Sequence, residues 1–535
     1  MESSYLINFR TALSVMSKSS PYAVSTERDT ALSIDLDTVK KYLYVQTDIE
    51  TDFVKNLKGL SSTDKKIIFL CGSSGDGKSE ILTRYNKEYG NRADFHLDAT
   101  HSFRPSDSAI ETLDELFTDF KSTAKPLVVG INIGMLGNYA QEGAVIEVTA
   151  SIKAFLEKQP TPENHIYLDF EDYPKFTLEI DGHTSKFAKD LLQKITAKDG
   201  NLIRQHFAVE MQKQSPDKKL CANYQLLERE EVQDVIIDLL FKARLMKDQF
   251  LTARALLDFI FHLLAGPGYL FDNLFKKGDN ELTNIISDFD PSIKRTQKID
   301  KFILSHSLLL PDADFEDYKT ALSDLGIRRV QSAESYLRLF YLLRKSEYGN
   351  EYHKWFVSDF DEHLIDNYSK VWHLHTGFDN SSEQKEKLRH FYRQTAITAI
   401  HKYNNRNAPK LAKGEFFISE HNGYFLASSL ELKADVKAIK NNVENNPSFF
   451  TANFRVGDRT LSLMVNINLL NLLQRIVSGY RPNKHDKNTV VLLDELVDEI
   501  ADIANSADTL YIVGKGQQKY KITNVDDEDF EVSGL

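Results

Sequence analysis

Residues 65–89, KKIIFLCGSSGDGKSEILTRYNKEY, constrain this chain more than any other stretch. The run Ile67–Cys71 is apolar at every position. A strand of that kind is buried on both faces, so it belongs inside a parallel sheet covered by helices. Glycines at 72, 75 and 77 then break the strand, and KSEILTRYNKEY follows as a helix with Gly90 placed to cap it.

The next hundred residues repeat the strand–helix pattern. DFHLDA is a second strand. SAIETLDELFTDF starts with Ser108 and carries Glu111 three residues on, the signature of a capping box. Ile110, Leu113, Leu116, Phe117 and Phe120 form its buried stripe. PLVVGINI is a third strand, residues 146–157 a helix, KQPTPENH a loop and HIYLDFED a further strand. Strands alternating with helices at this pitch mean βαβ units.

Beyond about residue 185 the period becomes helical. Helices are expected at Leu191–Gln212, Glu230–Met246 and Phe250–Leu264, with Gly266-Pro267-Gly268 as a sharp stop. More helices reach about residue 403, and NNRNAPKLAKG (404–414) is a linker. Strand-like GYFLASSLEL and TLSLMVNI, a helix near 489–504 and a hairpin of TLYIV and YKITN around GKGQQ complete the chain. The expected division is an N-terminal helical segment (1–55), a core (56–180), a helical lid (181–275), a helical domain (276–410) and an α+β C-terminal domain (415–535).

Composition narrows the functional classes. With 66 basic and 78 acidic residues the net charge is −12, which opposes a whole-face nucleic-acid binder and leaves room for a local basic groove or a partner that touches DNA. Two cysteines, Cys71 and Cys221, cannot build a disulfide framework or an all-cysteine zinc site, in keeping with a reducing compartment. MESSYLINFR lacks the basic and apolar blocks of a signal peptide, and the longest apolar stretch is interrupted by Asp258 and His262. The expectation is a cytoplasmic protein with no membrane contact.

Gly72-Ser73-Ser74-Gly75-Asp76-Gly77-Lys78-Ser79 fits G-x-x-x-x-G-K-[ST] at every defined position, with a buried strand before it and a helix after. Chance supplies about 0.02 such matches in a random chain of this length. The order has a physical reason. Glycines let the backbone wrap close to phosphates and turn N–H groups inward, and the helix N-terminus adds its positive dipole end. The expected phosphate-binding set is Gly72, Ser74, Gly75, Asp76, Gly77, Lys78, Ser79 and Glu80, with Lys78 on the β- and γ-phosphates and Ser79 on Mg²⁺. The expected cofactors are ATP and Mg²⁺.

Hydrolysis needs a strand-end carboxylate in the Mg²⁺ shell as well. Asp98, ending FHLDA, and Asp169, ending HIYLDFED, both qualify by position. In an ATPase with an extra strand between loop strand and metal strand, FHLDA is expected to be the intermediate strand, and Asp169 comes late. VVLLDE, ending in Asp494-Glu495, continues as LVDEIADI and is expected to be an amphipathic helix. Asn132, where VVGINIG turns polar, is placed either to sense a γ-phosphate or to form a turn. Arg254, early in an apolar helix, is either a lid arginine folded onto the phosphates or a surface residue with a packed stem. Arg295 and Arg328-Arg329 could reach a neighbouring subunit but read more simply as surface charge. His373 and His375 could share a strand face, yet no third metal ligand accompanies them.

SKSSPYAVST (17–26), CGSSGDGKSEIL (71–82), FHLDATHSF (95–103) and GINIGMLGN (130–138) together resemble the DptF (DndF) family, the P-loop subunit of bacterial DNA phosphorothioation-dependent restriction systems. Length and domain order are similar too, although the specific motifs lie in the first third. The resemblance implies an α/β P-loop NTPase of AAA+-like type with a helical lid and a helical middle region. It implies action with DptG and DptH partners against DNA that lacks the phosphorothioate mark, and Gly72, Gly77, Lys78 and Ser79 carry over as the phosphate loop. No family nuclease motif is matched, so cleavage would belong to the assembly. A motor or switch subunit suits the absence of a basic face, and a homo-oligomer is among the assemblies open to it.

Overall fold

A computed structural model describes residues 7–20, 34–100, 108–123, 125–180, 182–249, 251–360, 363–412, 414–439, 447–507, 509–514, 518–526 and 529–535. Pro21–Thr26 and His101–Phe103 of the resemblance motifs, the centre of GKGQQ, and Asp527-Glu528 lie outside these. The chain forms two compact units, one of Met1–Phe176, Ser185–Arg244 and Gln249–Asp361, the other of Thr177–Thr184, Leu245–Asp248 and Glu362–Leu535.

In the first unit, α1 (Phe9–Leu13), α2 (Ile34–Leu43) and α3 (Asp48–Lys58) precede β1 (Ile67–Gly72) and α4 (Lys78–Tyr89). Then come β2 (Asp94–His96), α5 (Ala109–Ser122), β3 (Leu127–Asn132), α6 (Ile133–Glu142), α7 (Ile146–Leu156) and β4 (His165–Asp169). The four strands form a parallel sheet in the order β2-β3-β1-β4. The fold is α/β.

Alternate residues of the central strands point to opposite faces, and each face has its own core. Ile67, Phe69, Cys71, Leu127, Val129 and Ile131 pack with Leu113 and Phe117 of α5, Leu136 and Tyr139 of α6, and Val148 and Ile152 of α7. Ile68, Leu70 and Val128 pack with Ile49, Phe53 and Leu57 of α3 and with Ile81 and Leu82 of α4. All six residues of β1 are buried, which explains its unbroken apolar run. The capping box forms: Ser108 Oγ accepts the Glu111 N–H at 3.1 Å, and the Glu111 carboxylate accepts the Ser108 N–H at 2.7 Å.

This order corrects one expectation. The strand between β1 and FHLDA is β3, so FHLDA is the outer strand and not the intermediate one. Pairing between strands is a long-range choice that strand sequences do not encode locally.

After β4, a hairpin of β5 (Thr177–Glu179) and β6 (Gly182–Thr184) belongs to the second unit. The first unit resumes with α8 (Lys186–Thr196), α9 (Leu202–Met211), α10 (Lys218–Leu227), α11 (Glu230–Met246), whose last residues pass into the second unit, and α12 (Ala253–Ala265). The single helix expected over Leu191–Gln212 is thus two. Gly200 at φ +63° and Asn201, which caps α9 by accepting the Arg204 N–H, make the break. Hydrophobic periodicity passes over such a turn because apolar residues on both sides keep their phase.

The second unit is α+β. It holds a five-stranded antiparallel sheet of β7 (Glu415–His421), β8 (Tyr424–Ser429), β12 (Thr509–Gly514), β13 (Lys519–Asp526) and β14 (Asp529–Gly534). A three-stranded antiparallel sheet of β9 (Leu432–Ala434), β10 (Phe450–Val456) and β11 (Arg459–Val465) stands beside these in sequence. VVLLDE is helical, inside Lys487–Asn505. His373 and His375 sit on the helix Leu364–Thr376, not on a strand. Two residues apart on a helix they face different ways. His375 is buried, with Nδ1 2.7 Å from the Val371 carbonyl, and burial drives its pKa down to about 4.

Candidate functional site

The loop between β1 and α4 owes its shape to two left-handed glycines, Gly75 at φ +85° and Gly77 at φ +105°. A side chain at either position would strain the backbone. Gly72 is bare for a different reason: a Cβ there would come within 2.9 Å of Phe170 Cδ2. Within the loop, Asp76 Oδ2 accepts the Ser73 N–H at 2.8 Å, and the Lys78 ammonium donates to the carbonyls of Gly72 and Ser73 at 2.9 and 2.8 Å. The loop is therefore tied together by its own polar groups, with the Lys78 ammonium folded back onto its first two carbonyls.

A cavity of about 350 Å³ opens against this loop, at the carboxyl ends of β1, β2 and β3. That is where open α/β sheets place their ligands, because loops and helix N-termini converge there. Ser74, Gly75, Asp76, Gly77, Lys78, Ser79 and Glu80 line one side. Asp98 and Asn132 line it from the ends of the neighbouring strands, and Arg254 from the first turn of α12. Arg254 is seated there by its backbone: its N–H donates to the Gly75 carbonyl at 3.3 Å. Val15, Leu43, Val45, Phe187 and Leu191 contribute apolar lining.

Asp98 lies two residues beyond β2, where its Oδ1 accepts the Thr100 N–H at 3.0 Å and the Thr100 hydroxyl at 2.7 Å. Asn132 caps α6 by accepting the Met135 N–H at 2.7 Å. Its Oδ1 is committed to that cap, so the amide nitrogen is the group it can offer a ligand. Glu80 pairs with Lys40 of α2 at 2.7 Å. Asp169 is not among the cavity-lining residues. It ends β4 beside Cys71, accepts the Glu171 N–H, and has its pKa pushed up to about 6 by burial, with Glu171, Asp172 and Asp76 adding to the rise. Arg295, Arg328 and Arg329 do not line the cavity either.

Charge in the cavity is tightly arranged. Burial holds the Lys78 ammonium below the usual lysine range, while Asp76, Asp98 and Asp169 pull it back up. A phosphate entering here would meet that cation, the backbone N–H groups of the loop and the N-terminus of α4. Cys71, fully buried beneath the loop, has its thiol pushed well above the ordinary range by burial, which makes it a packing residue.

Sequence reasoning passed over three contributors. Apolar lining comes partly from Val15, Leu43 and Val45, which flank SKSSPYAVST (17–26) far upstream, where no spacing points to the loop. Thr252 sets the start of α12 by accepting the Ala255 N–H, and the Thr-x-Arg order was the available signal. Lys175, after β4, pairs with Asp76 at 2.8 Å, and nothing in its local sequence points to the loop.

No protein-family model matches the chain, and no curated protein matches it. Fold and cavity define an α/β protein whose glycine-rich loop, Lys78 and strand-end polar residues converge at the carboxyl edge of a parallel sheet.

Proposed function

We propose that this chain is a P-loop ATPase of AAA+-like architecture that binds Mg·ATP in the cavity against Gly72–Ser79 and hydrolyses it. The particular protein we propose is the DptF-type subunit of a bacterial phosphorothioation-dependent DNA restriction complex, working as motor or switch with DptG- and DptH-like partners. What supports the nucleotide reading is one juxtaposition: Lys78, Ser79, Asp98, Asn132 and Arg254, scattered over the sequence, line one cavity that apolar side chains line as well.

In this reading Lys78 leaves the Gly72 and Ser73 carbonyls to bind the terminal phosphates. The Asn132 amide nitrogen faces the γ-phosphate, and Arg254 reports its presence to the helices α8–α12, which act as the lid. Among the described residues no group of three or more His, Cys, Asp or Glu is arranged to hold a metal. Mg²⁺ takes one or two protein ligands and fills the rest of its shell with phosphate oxygens and water. Ser79 and Asp98 are the residues that would hold it, and bound there it would neutralise charge on the transferring phosphate.

The restriction role is drawn from the motif resemblance, and the net charge of −12 suits a subunit that reaches DNA through partners. Among the described residues no helix is long and apolar enough to cross a membrane.

One observation favours a second reading, a nucleotide-gated scaffold without turnover: Asp98 Oδ1 is already engaged by Thr100. A steady-state ATPase assay of wild type, Lys78→Ala, Asp98→Ala and Asp169→Ala separates the two. Turnover abolished by Lys78→Ala and Asp98→Ala is the expected result. Wild-type turnover equal to the Lys78→Ala background would sink the motor. A pull-down from the native host with and without ATP tests the complex: two restriction partners support it, and self-association alone points to a STAND-type signalling ATPase.

A further inference from the structure

A loop built to receive a polyanion contains a carboxylate. Asp76 stands between the two left-handed glycines and lines the cavity. Its side chain is 10% exposed, so water does little to screen it. Left alone, it would repel the phosphates the loop is otherwise shaped to hold.

It is not left alone. The Lys175 ammonium donates to Asp76 Oδ1 at 2.8 Å, and the lysine side chain is only 11% exposed. The two residues are 99 positions apart in sequence. Lys175 is also held by its surroundings. Its carbonyl accepts the hydroxyl of the fully buried Ser185 at 2.6 Å. Its ammonium lies 5.1 Å from the centre of the Phe170 ring, the same ring that closes the space beside Gly72.

We propose that Lys175 is a positioning residue for the nucleotide: it neutralises Asp76 and fixes the carboxylate in the orientation that shapes the loop, so that the loop can accept a triphosphate. The inference rests on the nucleotide reading above and adds a requirement to it. Asp76 supplies the acceptor that shapes the Ser73 end of the loop, and Lys175 removes the electrostatic penalty of having it there. Lys175 itself touches no substrate; its effect passes through Asp76.

The test is a titration of the full chain with a fluorescent ATP analogue and Mg²⁺, at low and at physiological ionic strength. It covers wild type, Lys175→Met, Lys175→Arg, Asp76→Asn and the double variant, with circular dichroism to verify folding. Lys175→Met is expected to weaken binding by about tenfold or more, because it strands a buried negative charge beside the phosphates. Lys175→Arg should recover part of the loss. Asp76→Asn keeps the acceptor for Ser73 and removes the charge, so it should bind a few-fold tighter than wild type, roughly as a lost like-charge contact predicts. The double variant should return to within about threefold of wild type; the tighter binding of Asp76→Asn is the result that a purely structural ion pair would not give. In turnover, Lys175→Met should raise KM with little change in kcat. Should Lys175→Met fail to fold, Asp76→Asn and the double variant carry the test.

Binding by Lys175→Met equal to wild type overturns this inference and leaves the nucleotide reading standing. So does a double variant as weak as Lys175→Met, or Asp76→Asn weaker than wild type. Wild type that binds no nucleoside triphosphate overturns both.

Discussion

Gly130, in the middle of β3, is the position where the architecture of the site can be tested most directly. An added Cβ would fall inside contact distance of Leu82 Cδ1 and 2.7 Å from the carbonyl oxygen of Leu97. Ordinary contact begins at 3.4 Å, so Leu97 would have to retreat by roughly 0.7 Å. Neither neighbour can yield freely. Leu82 is fully buried between α4 and the sheet, and the segment after Leu97 is tied to β3 by the Ala99 N–H on the Gly130 carbonyl at 2.9 Å. Overpacking against backbone of this kind costs about 2–3 kcal/mol. Gly130→Ala should therefore destabilise the parallel sheet by that amount, and by shifting Leu97–Ala99 it should displace Asp98 and weaken Mg·ATP binding. Gly137→Ala is the matched control: nothing lies within 4 Å of its Cβ, and inside α6 alanine gains about 0.5–1 kcal/mol over glycine. Because the chain has two units, the assay is hydrogen exchange of the β1 and β3 amides in rising urea, which isolates the first unit. Protection in Gly130→Ala within about 0.5 kcal/mol of wild type would refute the packing argument.

Lys78→Ala should lower Mg·ATP affinity by about a hundredfold or more, since it deletes the one lysine donor in the loop, as isothermal titration would measure. Asp169 has a folded pKa of about 6, above its unfolded value, so the folded state holds the proton more tightly. Its contribution to stability is then fully present below about pH 4 and is lost as pH rises through 6. Asp169→Asn should accordingly stabilise the first unit at pH 7.5 and change little at pH 4.5, read by urea denaturation at both values; equal effects at the two pH values would contradict the assignment. Glu50 is buried and accepts the hydroxyls of Tyr44 at 2.6 Å and Tyr85 at 2.9 Å. Glu50→Ala should cost about 2 kcal/mol or more by orphaning both hydroxyls, and Glu50→Gln, which keeps an acceptor, should cost less in the same denaturation assay.

Everything that depends on neighbours along the chain could be read before folding was considered. The unbroken apolar run of β1, the glycine loop, the Ser108–Glu111 cap, the stop at Gly266 and the helical reading of VVLLDE each rest on spacings of a few residues, where backbone geometry imposes periods of two or 3.6. The loop residues of the candidate site belong to that class. Strand order does not, and it is strand order that sets Asp98 across β3 from the loop strand and Asp169 directly beside it. The apolar lining from Val15, Leu43 and Val45, and the Lys175 counter-ion to Asp76, likewise arise where remote segments pack together. Such contacts are chosen by burial and charge compensation over the whole unit, and a period of a few residues carries no record of them.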